Sequence, residues 1–190
     1  MILFDKKLIF IHVPKCAGTA VEVFFAGRTW SNINKQTTHI TAQEAVKLYG
    51  RETWDSCFTF SLVRNPWARL LSFFNMFRQT NPKAEFASWI GQVCSRTGLK
   101  FEGIQVGRSM TEYLTGPDGQ IMVNFVGKME SLADDFRTIA QRAGYPPTVT
   151  LPPVMVGNYE RDYRSWYTPE TRDLVAERFR EDVQRFGYDY

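Results

Sequence analysis

A chain of 190 residues suits one domain with room for an apolar core. With 44% hydrophobic and 15% aromatic residues it reads as globular, not disordered. A net charge of +3 argues against a nucleic-acid binder, which would carry a basic stripe, and leaves room for a local basic pocket. Cys16, Cys57 and Cys94 are odd in number and scattered, with neither CxxC nor Cys/His spacing. They point to reduced thiols in a cytoplasmic protein. "MILFDKKLIFIHV" has an acid and two lysines cutting its apolar run, so it does not read as a signal peptide. No stretch approaches ~20 apolar residues, and no membrane span is expected.

The first predicted element is a buried strand, "LIFIHV" (8–13), followed by a helix from Gly18 to about Gly27. "TTHITAQEAVKLYG" (37–50) holds the capping box Thr41-x-x-Glu44 and a helix that stops at Gly50. A second strand, "CFTFSLV" (57–63), runs into "RNPWARLLSFFNMF", where Asn65 can cap and Pro66 suits the first helical position. Another helix is expected over about 83–96, a short one from Ser109-x-x-Glu112, and a third strand over 120–128. Residues 131–144 form an amphipathic helix with a glycine stop, "PPTVTLPP" a turn-rich connection, and 167–187 one long C-terminal helix capped by Thr168. Strands alternating with helices predict an α/β layered sandwich with a mainly parallel sheet, whose ligands bind at the carboxyl ends of the strands. The turns after 8–13 and after 57–63 therefore belong on one edge.

The turn "PKCAGT" has the makings of an anion site. A helix N-terminus offers backbone N–H groups and partial positive charge. Gly18 permits close approach, Thr19 adds a hydroxyl and Lys15 a full charge; Cys16 is read as a small filler, with a catalytic thiol as the alternative. This is no Walker A loop, because Lys15 precedes the glycine, and no acid at the end of the second strand awaits a metal. Taken alone, it is also compatible with an ordinary strand-turn-helix bearing an exposed lysine. In "FSLVRNPWARLLSFF" a strand delivers Arg64, able to fork onto a phosphate, and the next helix carries Ser72. Two such sites suit a ligand with two separated anionic groups.

On these two segments the chain resembles the sulfotransferases that use 3′-phosphoadenosine-5′-phosphosulfate (PAPS). "PKCAGT" is similar to their 5′-phosphosulfate loop and "RNPWARLLS" to their 3′-phosphate motif, with Arg and Ser eight positions apart. Two residues between Lys15 and Gly18-Thr19 resemble the carbohydrate branch, in its compact bacterial form; the cytosolic aryl type is one residue shorter. "HITAQEA", "GQIMVNFVGKMESLADDF", "LPP" and "YTPETRDLVAERFREDVQRFGYDY" extend the likeness over essentially the whole chain. Ala20 stands where the branch often has Ser, Ala68 where Asp is common, and Phe73 where Tyr is common. "VMVGNY" (154–159) replaces an Asn-x-Ser segment in a region that frames the acceptor.

The resemblance implies a P-loop-like three-layer fold and a single sulfotransferase domain over 1–190. It implies transfer of a sulfuryl group from PAPS to a hydroxyl or amine of a carbohydrate or glycoconjugate, releasing PAP, with no metal. Pro14, Lys15, Cys16, Ala17, Gly18, Thr19, Ala20, Arg64 and Ser72 would bind the donor, and Lys15 would neutralise the leaving phosphate. His39 matches a histidine of the branch and is the candidate base; its alternative is a hydrogen-bonded loop or capping role. His12 is read as a satisfied core histidine. Glu22 and Glu44 are rival bases to His39, read respectively as a residue of a solvated helix face and as the capping-box acid. Lys128 is either a second phosphate ligand or a surface lysine, Arg69 an ordinary helix charge, and Trp67, Phe73 and Phe74 core aromatics. Segment 97–119, with Lys100 and Arg108, is read as a surface loop with some claim on an anionic acceptor. With no membrane span expected, a bacterial cytoplasmic enzyme is expected rather than a Golgi one. A P-loop-type small-molecule kinase and a non-catalytic nucleotide-binding module remain the alternatives.

Overall fold

The computed structural model describes residues 1–95, 98–151 and 162–190. In chain order they form β1 (Ile2–Leu3), β2 (Leu8–Ile11), α1 (Gly18–Ala26), α2 (Ser31–Asn34), α3 (Ala42–Tyr49), α4 (Arg51–Ser56) and β3 (Phe58–Val63). There follow α5 (Pro66–Thr80), α6 (Phe86–Ser95), β4 (Lys100–Phe101), β5 (Ile104–Gln105), α7 (Met110–Leu114), β6 (Phe125–Lys128), α8 (Leu132–Arg142), α9 (Pro169–Arg178) and α10 (Arg180–Phe186). The "VMVGNY" segment and the last two residues of "LPP" lie outside the described residues. No helix among the described residues is long and apolar enough to cross a membrane.

The chain gathers into two compact units. The first contains residues 1–63 and the described residues from Glu112 to 151. Its sheet has the order β1-β2-β3-β6. β2, β3 and β6 run parallel, with Leu8 opposite Phe58 and Val63 opposite Lys128; only β1 is antiparallel. This is the expected α/β fold with a mainly parallel central sheet flanked by helices. β2 is buried at every position, and β3 at all but its first, as a strand covered on both faces must be. Phe10 and Phe60 stack at 5.0 Å; Phe25 of α1 meets Phe60 edge-on at 5.9 Å and Phe136 of α8 tilted at 6.0 Å. Asn124 fastens β6: its Oδ1 accepts from the Thr59 backbone N–H at 2.8 Å and from the Thr59 hydroxyl at 2.9 Å. Because β2 and β3 are parallel neighbours, their carboxyl ends lie on one edge, as expected.

The second unit contains Arg64–Thr111 and residues 162–190. Its core joins α5 and α6 to α9: Trp67, Leu70, Phe73, Phe74, Trp89, Ile90, Val175 and Phe179 are all buried. Trp67, Phe73 and Phe74 are thus core aromatics, as read. The segment expected as a loop includes the antiparallel pair β4–β5.

The expected single C-terminal helix is two. At Phe179 (φ −112°, ψ 29°) the backbone leaves helical geometry, and α10 starts afresh at Arg180. The break lets Asp182 sit fully buried, accepting from the backbone N–H groups of Met110 (2.9 Å) and Thr111 (2.8 Å) and from the Thr111 hydroxyl. Burial pushes its carboxyl above the ordinary value despite these bonds and the nearby Arg69. Arg69, expected as an ordinary helix charge, is only 1% exposed. It lies one helical turn before Phe73, whose ring its guanidinium covers at 5.4 Å, and it donates to the Arg108 carbonyl at 3.1 Å.

Candidate functional site

β2 delivers the loop "HVPKCAGT". Lys15 and Ala17 are in the left-handed region, with φ of 68° and 59°, just before α1 begins at Gly18. Left-handed residues in a turn of this kind can point neighbouring N–H groups toward one concavity. α1 has no side-chain cap and no acid in its first turn. Its first turn therefore offers the positive end of the helix to a ligand. Pro14, Cys16, Gly18 and Ala20 are buried; Lys15, Ala17 and Thr19 are half-buried. Cys16 is fully enclosed, in keeping with a filler.

Gly18 is required for a reason the sequence did not reveal. A Cβ at this position would lie 2.1 Å from Cδ2 and Nε2 of the His12 ring. The helix start and the histidine touch, and only glycine allows it.

His12 is buried, as read. Glu22, read as part of a solvated helix face, is instead 1% exposed. Its Oε1 lies 2.7 Å from His12 Nδ1, and its Oε2 accepts from the Trp30 backbone N–H at 2.9 Å. Burial alone would raise its carboxyl; the hydrogen bonds from His12 and from the Trp30 N–H offset this and leave it below the ordinary value. The partner comes from the residue that follows β2, so α1 by itself could not announce the pair. One local signal existed. Glu22 is the only charged residue of α1 and lies one turn after Gly18, on the same face.

His39 belongs to this cluster. Its ring meets that of His12 edge-on, centroids 4.4 Å apart, and its Nδ1 lies 3.1 Å from the His12 carbonyl oxygen. A carbonyl can only accept, so Nδ1 carries the proton and Nε2 of the neutral ring holds a lone pair. Burial and the neighbouring His12 lower His39 from 6.5 to about 4, so it is neutral at pH 7. The segment between is fixed by Trp30, whose Nε1–H donates to Thr37 Oγ1 at 2.8 Å. Thr41 and Glu44 form the expected capping box of α3, which occupies the Glu44 carboxylate. Lys128, half-buried, ends β6, and its backbone N–H donates to Asp135 at 2.7 Å.

In the second unit Arg64 directly follows β3 and is half-buried, as is Ser72 in the second turn of α5. Asn65 caps α5 as expected, accepting from the N–H groups of Trp67 (3.1 Å) and Ala68 (3.3 Å). The C-terminal segment grips this turn. Asn65 Nδ2 donates to the Asp189 carbonyl at 2.8 Å, Trp67 Nε1–H to the Arg172 carbonyl at 3.0 Å, and the Tyr167 hydroxyl to the Trp67 carbonyl at 2.9 Å. No sequence signal linked residues 100 or more positions apart.

Among the described residues no three His, Cys, Asp or Glu side chains cluster with metal-ligand geometry. Comparison with curated proteins and with solved structures finds no match to either. The model of the Sulfotransferase family, however, matches residues 1–189, the span that holds both loops, the histidine cluster and the C-terminal segment. The chain belongs to the sulfotransferase family.

Proposed function

We propose that this protein transfers a sulfuryl group from PAPS to a hydroxyl or amine of a carbohydrate or glycoconjugate, as one sulfotransferase domain over 1–190 acting in the bacterial cytoplasm. The observation that carries the reading is the uncapped start of α1, entered through left-handed Lys15 and Ala17. In a member of this family such a loop fits the 5′-phosphosulfate, with Pro14–Ala20 wrapping it and Thr19 adding a hydroxyl. Arg64 and Ser72 hold the 3′-phosphate.

In the reaction the acceptor oxygen attacks sulfur in line, and the bond from sulfur to the 5′-phosphate oxygen breaks. Charge grows on that phosphate, and Lys15 with the loop N–H groups stabilises it. The acceptor proton passes to His39 Nε2, the one ring nitrogen left with a lone pair when Nδ1 donates to the His12 carbonyl. In the free protein His39 is a weak base. A bound donor adds negative charge, which opposes the effects of burial and His12 and raises its proton affinity. PAP is released, and His39 returns its proton to water.

Calorimetric titration with PAP, and separately with ATP and Mg²⁺, tests the reading. Tight metal-free binding of PAP with little affinity for ATP supports it. Preference for ATP with Mg²⁺ would return the kinase alternative. PAP binding without consumption of PAPS on any acceptor would mark a non-catalytic nucleotide-binding module.

A further inference from the structure

Glu22 does not reach the reaction in this scheme, yet it is the most enclosed charge near the loop after β2. Its two oxygens face two donors, the Trp30 N–H, which can only donate, and His12 Nδ1. An ionised carboxylate accepts at both, so the His12 proton resides on Nδ1. A free neutral histidine ring exchanges between its two tautomers; in a fold the partner of one ring nitrogen sets the state of the other. The His12 ring so fixed lies against Gly18, the first residue of α1, along its Cδ2–Nε2 edge. The backbone carbonyl of the same residue holds His39 on Nδ1–H. One carboxylate thus ties together Trp30, the end of β2, the start of α1 and the His39 loop.

We propose that Glu22 is a positioning residue: it locks His12 on Nδ1–H and so holds the carbonyl that presents His39 Nε2. The inference rests on the sulfotransfer reading for its effect on turnover, but its effect on the two rings stands apart from it. A glutamine at 22 cannot satisfy both donors. With its oxygen on Trp30, its NH₂ group meets His12 Nδ1 and demands the opposite tautomer. Elsewhere, a wrong histidine tautomer behind an intact geometry has reduced turnover by about 10⁴. Here the histidine that switches acts through a second one, and a smaller loss follows.

The chain has only two histidines, so its ring nitrogens give an uncrowded NMR spectrum. In the full-length protein labelled with ¹⁵N-histidine, without nucleotide at neutral pH, both rings should be found on Nδ1–H. In Glu22→Gln, His12 should move to Nε2–H and His39 should average between tautomers. PAP affinity by calorimetry should stay within about threefold, while consumption of PAPS with water as acceptor falls on the order of ten- to a hundredfold. Either ring of the parent on Nε2–H overturns the proposal, and this needs no variant to fold. So does a variant whose His39 is unchanged, or one that consumes PAPS at the parent's rate. A parent that binds no PAP but shows both rings on Nδ1–H sinks the sulfotransfer reading and leaves the tautomer lock in place.

Discussion

The N-termini of α1 and α5 follow adjacent parallel strands, yet they are finished in opposite ways. α5 closes itself: Asn65 occupies the N–H groups of Trp67 and Ala68, and Pro66 removes another donor. α1 is left open, with Ala17 in place of a capping side chain. On the proposed reading, the same secondary-structure event would bind anions by different means. At α1 the backbone would be the ligand, helped by Lys15. At α5 the backbone is already satisfied, and an anion would have to be held by side chains, Arg64 and Ser72. Substitutions should separate the two, because backbone recognition is sensitive to shape and side-chain recognition to charge.

The largest effect is expected at Gly18. In Gly18→Ala the new methyl meets the His12 ring, and either the ring or the helix start must move. Nucleotide binding should fall below detection by calorimetry and the melting temperature should drop; a variant that binds PAP like the parent would show that the loop geometry is not the ligand. Lys15→Ala should lower PAPS consumption ~10²–10³-fold, the usual loss for one stabilising donor, with little change in melting temperature. Arg64→Ala should weaken PAP by roughly 10- to 100-fold, in line with a charge-assisted hydrogen bond. Arg64→Lys should recover only part of this, since an ammonium cannot fork. Full recovery with lysine would mean that α5 senses charge alone. Asn65→Ala is the mildest, costing about 1 kcal/mol of stability as an ordinary cap does, measured by urea unfolding.

Acid should act on the first region through His39. An unfolded histidine titrates near 6.5 and this one at about 4 in the fold, so the unfolded chain takes up the proton first. The stability contributed by neutral His39 is complete above pH 6.5 and is lost as pH falls toward 4. Melting temperature against pH should decline over that window in the parent and decline less in His39→Asn. Equal slopes would place the acid sensitivity in other groups.

Much of this comparison was readable in the sequence because it is local. Thr41-x-x-Glu44, Asn65-Pro66 and Thr168-Pro169 act within one turn, and each marks a true helix start. What escaped depends on distant partners. Glu22 looked solvated because its partner His12 comes from the segment just after β2, and Arg69 looked ordinary because the Arg108 carbonyl and Asp182 arrive from elsewhere in the chain. The break at Phe179 escaped for the same reason. The apolar period of 167–187 continues across it, while the bonds that favour a fresh start run from Asp182 to Met110 and Thr111. β1 was missed because two residues carry no period.

Lys15 and Ala17 hold left-handed conformations that most chains assign to glycine. A glycine at 17 would adopt this shape more easily, but it would also visit many others. With a methyl there, the loop has few alternatives to its present form before any nucleotide arrives. Little conformational entropy then remains to be lost on binding. On the proposed reading the alanine exchanges some stability of the fold for rigidity of the cradle, and Ala17→Gly would reverse the exchange, giving a more stable protein with a looser grip.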